Sequence, residues 1–264
     1  MRTLIQICVL LVLAGRTLAA TPASADEIQI SSCSGQAKLP VTFSIDCSHV
    51  KDAEKQFCRP FIENQSCKVF GAYRKITGIN LENECPSVKY TIYDKDTWPY
   101  KQGEASGYAK HCAAELMADY SLLIKSHLGP YDVHEILHVY QSGMGALPQP
   151  HALFGPSMLE AIREIGDSET YAKRLASMKQ EAERLEDEFQ KGTVKGNKCT
   201  LAETEFEERL YLENARYVHV FYRKLEPDKA KDQVSREARF NRMYNVVSEG
   251  KARKFLVDHG CAPF

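Results

Sequence analysis

Residues 131–141 read Tyr-Asp-Val-His-Glu-Ile-Leu-His-Val-Tyr-Gln, with His134-Glu135-Ile136-Leu137-His138 at the centre. On a helix, positions i and i+4 share one face, so this spacing directs both imidazoles the same way. Two neutral imidazoles placed like that can grip one zinc ion. Glu135 follows the first His directly, which sets its carboxylate beside a water on the ion rather than on the ion itself. That is the position of a general base. Val133, Ile136, Leu137, Val139 and Tyr140 can seat the helix in a core, and Pro130 suits its start. The plain alternative is a core helix whose two histidines only hydrogen-bond to neighbours.

Outward from this helix the chain alternates at first and then turns helical. Residues 87–93 (SVKYTIY) have the period-2 pattern and β-branched, aromatic content of a strand, and residues 41–46 (VTFSID) repeat it. Residues 26–40 read as an extended lead-in. Residues 51–75 carry helical spacing, interrupted at Arg59-Pro60 and ended at Thr77-Gly78. Residues 94–106 form a loop holding the sole tryptophan, Trp98, and residues 112–127 read as a helix. Downstream, residues 142–156 are a Gly- and Pro-rich loop. Residues 157–165 are apolar at helical spacing, and residues 169–191 are a charged, solvated helix. Residues 202–225 read as one long helix stopped by Pro227, and residues 228–250 as another. The fold class this predicts is α+β, with a small N-terminal sheet followed by a helix-dominated half.

Composition places the chain in an oxidising compartment. Of 264 residues, 44% are hydrophobic and 26% charged, the balance of a globular protein. The first 25 read as a secretory signal peptide: Arg2, an apolar run over residues 4–14, then two cleavage candidates, Leu18-Ala19-Ala20 and Ala23-Ser24-Ala25. Residues 26–264 then form one disulfide-rich domain, secreted or periplasmic. Eight of the nine cysteines follow the signal, an even number that allows up to four disulfides in any of about a hundred pairings. No later segment is long and apolar enough to span a membrane. The formal net charge is −1, with no basic stripe interleaved with aromatics, so a nucleic-acid partner is not indicated. Asn64-Gln65-Ser66 fits a glycosylation acceptor. His49, His111, His127 and His259 lack ligand spacing, and Glu181–Glu188 lacks the spacing of a calcium loop.

The second helix carries Met158-Leu159-Glu160-Ala161-Ile162-Arg163-Glu164. With HEILH upstream, this layout resembles the gluzincin metallopeptidases, the thermolysin-like clan, in which a Glu on the helix after HExxH completes the metal site. The resemblance implies a zincin-like fold and one Zn2+ held by His134, His138 and Glu160. It also implies Glu135 as general base and Glu164 orienting the first imidazole. The Tyr211-Leu212-Glu213-Asn214-Ala215-Arg216-Tyr217-Val218 run resembles the clan's tyrosine pattern. That makes Tyr211 the candidate oxyanion donor, with Tyr217 and His219 in reserve. Two positions depart from the clan: Met158 stands for its frequent Trp, and Ala161 for its frequent Gly. A metzincin pattern is excluded, because Gln141 and Met144 occupy its Gly and His positions. His151, between Pro150 and Ala152, is the rival third ligand. Glu160 is favoured because a packed helix fixes the direction of its side chain. The implied activity is exported peptide-bond hydrolysis on a peptide or protein substrate. The alternative is a secreted, zincin-fold binding protein without turnover.

Overall fold

The strand Ser87–Tyr93 forms where the alternation places it, and it lies at the centre of a five-stranded sheet. The computed structural model describes residues 27–32, 38–61, 67–78, 80, 85–101, 107–117, 130–143, 153–224 and 248–261. The readings of residues 1–25, Cys33, Asn64, His127, His151 and most of 228–250 fall outside that set. Glu27–Ser32 (β1) pairs antiparallel with Lys38–His49 (β2), and β2 runs parallel to Ser87–Tyr93 (β3). Ala113–Met117 (β5) runs parallel to β3, and Gly107–Lys110 (β4) pairs antiparallel with β5 at the sheet edge. The helices are Cys58–Phe61 (α1), Cys67–Thr77 (α2), Pro130–Gly143 (α3), Phe154–Ile165 (α4), Ser168–Lys191 (α5), Lys198–Glu213 (α6), Arg216–Lys224 (α7) and Lys251–Asp258 (α8). The chain is α+β: α1 and α2 lie between β2 and β3, and the other described helices follow the last described strand.

The extended lead-in pairs as strand β1. Two elements differ from the sequence reading, each for a tertiary reason. Residues 113–117 are a strand and not the start of a helix. Ala-Ala-Glu-Leu-Met has high helix propensity, but β5 is inserted between β3 and β4 and makes ladder hydrogen bonds on both sides, with Ala114 and Leu116 turned into the core. The long helix read over 202–225 is two helices. Asn214 receives no continuing turn: its N–H donates to the Leu210 carbonyl, and its Oδ1 accepts from the Arg216 N–H at 3.2 Å, capping the next helix. The break lets α7 turn toward α2.

The motif helix is held from one side by aromatics. Phe43 of β2 meets Phe70 of α2 edge-on at 5.5 Å, and Phe70 meets Tyr140 of α3 at 5.3 Å. Two buried hydroxyls tie the helices reciprocally. Tyr73 donates to the Val133 carbonyl at 2.9 Å, and Tyr140 donates to the Phe70 carbonyl at 3.1 Å. Each hydroxyl would cost free energy if buried alone, so the pair fixes both the rotation and the height of α3 against α2.

Disulfides join Cys47 to Cys58, Cys85 to Cys112 and Cys199 to Cys261, and Cys67 is also disulfide-bonded. This agrees with an oxidising environment. No described helix is long and apolar enough to cross a membrane. The Cys199–Cys261 bond closes a 62-residue separation and docks α8 on α6. Replacing both cysteines with serine is expected to lower stability by roughly 4 kcal/mol through lost loop constraint. The check is the urea midpoint of the double variant against the parent, with unchanged far-UV circular dichroism.

Candidate functional site

Val133, Ile136, Leu137, Val139 and Tyr140 are all buried, which turns the opposite face of α3 outward. His134 and His138 lie on that face, with their Nε2 atoms 3.2 Å apart. Two nitrogens on one tetrahedral zinc, each about 2.05 Å from it, sit roughly 3.3 Å apart. The same 3.2 Å is the length of an N–H···N hydrogen bond between the two rings, so the pair fits either a shared ion or a direct contact. Glu135, between them in sequence, is 4% exposed, and its Oε1 is 3.9 Å from His134 Nε2.

Edge strand β4 explains how Glu135 fits. A Cβ on Gly107 would stand 2.5 Å from Glu135 Oε1 and 2.8 Å from its carboxyl carbon. Only a residue without a side chain lets the strand lie this close to the carboxylate. The sequence reading passed over Gly107. Its signal was a glycine at a strand start, which marks a close backbone approach but does not say to what.

Glu160 is fully buried on α4, and its two oxygens gather three donors. Tyr211 of α6 donates to Oε1 at 2.7 Å, and His219 Nε2 of α7 lies 2.7 Å from Oε2. Arg163, one turn along α4, also bonds Oε2. Tyr211 further contacts the Tyr171 hydroxyl at 3.3 Å, and burial with these bonds holds its phenol well above the ordinary range. The described contacts therefore place Tyr211 and His219 as supports of the Glu160 carboxylate. Glu160 and the two imidazoles do not all close to within 4.8 Å of one another. Phe154, in the first turn of α4, lies against both rings, at 4.2 Å from His134 and 4.7 Å from His138. Glu164, expected beside an imidazole, is ion-paired through Oε2 to Lys75 of α2. Tyr217 donates to the Glu207 carbonyl in the core.

Among the described residues, the one group whose donor atoms do close to 4.8 Å is Cys85, His111 and Cys112. The two sulfurs are bonded to each other, and a disulfide offers no thiolate to a metal. Searches of the chain against family models, curated proteins and solved structures returned no match.

The start of α4 is fixed from α6. Leu153, at φ +55°, donates its N–H to Glu207 Oε2 at 2.9 Å. Glu207 belongs to a run of buried acids, Glu203, Glu205, Glu207 and Glu208, whose burial opposes the charged form. Glu207 is held well above the usual carboxylate range, Glu203 is raised to about 7 and Glu208 to about 8.

Two measurements follow from these groups. Gly107→Ala is expected to force β4 or Glu135 aside and to cost about 1–3 kcal/mol as overpacking. Urea unfolding against a Gly155→Ala control, whose Cβ meets the flexible end of Met178 at 3.3 Å and Glu208 Oε1 at an ordinary 3.9 Å, reads that difference. For the acids, the folded state holds protons that the unfolded chain releases in the ordinary carboxylate range near 4.3. Stability from this term is then greatest below that range and declines as pH rises toward 7–8. A Glu203→Gln/Glu208→Gln variant should be more stable than the parent near pH 8.5, with the gain vanishing near pH 4. Denaturation midpoints at the two pH values check the sign.

Proposed function

We propose that this chain is an exported zinc-dependent peptidase of zincin-like fold, resembling the gluzincins, with His134 and His138 holding the ion. The observation that carries this reading is the 3.2 Å separation of the two Nε2 atoms beside a buried Glu135. Glu160 is the proposed third ligand. Its helix docks on α3, and α6 and α7 already fix its carboxylate, which is the support a metal ligand needs. When bound, zinc would polarise a peptide carbonyl and acidify a water. Glu135 would take a proton from that water and return it to the leaving amine. The signal-like N-terminus and the disulfides support export.

A second reading is favoured by a specific contact. Phe154 packs on both imidazoles, and the Glu160 oxygens are occupied by protein donors. A non-catalytic exported protein of the same fold would keep such a closed arrangement. Metal analysis and peptidase assays on mixed peptides separate the two readings.

Under the hydrolytic reading, purified protein carries one zinc per chain. Glu135→Gln retains that zinc while turnover falls on the order of 10²–10⁴-fold. Glu160→Ala loses zinc affinity and His151→Ala does not. Unchanged hydrolysis in Glu135→Gln would remove Glu135 as the base. Full zinc retention in Glu160→Ala would remove the gluzincin assignment.

A further inference from the structure

On the face of α4 turned away from α3, a cavity of about 220 Å³ opens between α4, α5 and α6. Its volume is below the roughly 300–1,000 Å³ of sites for drug-sized ligands. Met158, Leu159, Ile162 and Met178 supply apolar walls, and Gly155 leaves one side open. Glu208 also lines it, with Oε1 3.9 Å from the point a Gly155 Cβ would occupy. This side chain is only 9% exposed; among the described residues its Oε2, sealed from solvent, has no hydrogen-bond partner, and Oε1 is the oxygen turned toward Gly155. A buried carboxylate without donors is costly.

The surrounding charge selects the sign of the missing partner. Glu181 faces Glu208 from α5 and Glu205 shares its helix, and both oppose a second negative charge there. Two neighbouring cations are committed elsewhere: Arg184 bonds Glu181 and Glu188, and Arg209 pairs with Glu186 and Glu205. Arg174 stands exposed at the rim.

We infer that this cavity is a binding site for a small apolar primary ammonium ion, its charged head on the Glu208 carboxylate and its alkyl group between Met158 and Met178. Methionine thioethers adapt to branched chains without a fixed shape, which suits an aliphatic ligand. The ammonium supplies the hydrogen-bond donors that the carboxylate lacks. Burial and neighbouring acids raise Glu208 to about 8, so an empty site holds a proton at neutral pH and a bound cation displaces it. The site is separate from the imidazole pair, and the inference stands whether or not the chain is a hydrolase.

The test is isothermal titration of the full chain near pH 8.5 with 3-methylbutylamine, and with 4-methylpentanoate, which has a similar alkyl group and the opposite charge. The amine is expected to bind one per chain and the carboxylate not to bind. Glu208→Gln should weaken the amine about 10–100-fold, the worth of a charge-assisted hydrogen bond. Gly155→Leu, which fills the cavity and leaves Glu208 in place, should abolish binding. Circular dichroism establishes that each variant is folded. Equal amine affinity in Glu208→Gln or in Gly155→Leu, no amine binding by the folded parent, or preference for the carboxylate would each overturn the assignment.

Discussion

The structure depends on one buried carboxylate. Glu160 is removed from water on α4 and can stay there only because Tyr211, His219 and Arg163 supply donors. Those donors come from α6, α7 and α4 itself, so a single side chain joins three helices. Breaking the chain at Asn214 is what allows this. A continuous helix through 202–225 would carry His219 further along the α6 axis, whereas the turn brings it back to the carboxylate of α4. The Ser157–Tyr222 hydroxyl contact at 3.0 Å ties the same two helices one turn earlier on α4.

A second constraint fixes the imidazole helix independently. The exchanged tyrosine hydroxyls of α2 and α3 and the contact of Glu135 with Gly107 act from opposite sides. Aromatic packing from Phe43 through Phe70 to Tyr140 connects the first clamp to the sheet. The sheet edge supplies the second. The His134–His138 pair is thus positioned by the strand half of the chain, and Glu160 by the helical half. The place where the two halves meet is the first turn of α4, where Phe154 touches both rings.

Much of this was legible from residue order. Period-2 alternation located β3 and the heart of β2, because one face of each strand is buried and the other is not. The HEILH spacing placed both imidazoles on one helical face, since that relation follows from 3.6 residues per turn alone. The apolar spacing around Glu160 located α4, and the acid–base pairs of α5 identified its solvated face. What was not legible depended on partners distant in sequence. Ala113–Met117 has the composition of a helix and is a strand because β3 and β4 offer hydrogen bonds on both sides. Glu164 has the spacing to face an imidazole and instead meets Lys75, a residue 89 positions away on α2.

By itself, then, the sequence determined the α+β order of elements, the shared face of His134 and His138, and the presence of an acid on the following helix. These are local quantities set by backbone period and side-chain chemistry. Only the tertiary structure decided that Gly107 lies against Glu135, that Tyr211 and His219 converge on Glu160, and that Glu208 lines a cavity with no donor to its Oε2 among the described residues. Each of those depends on which elements pack together, and packing is settled by burial and hydrogen-bond satisfaction summed over residues far apart in the chain.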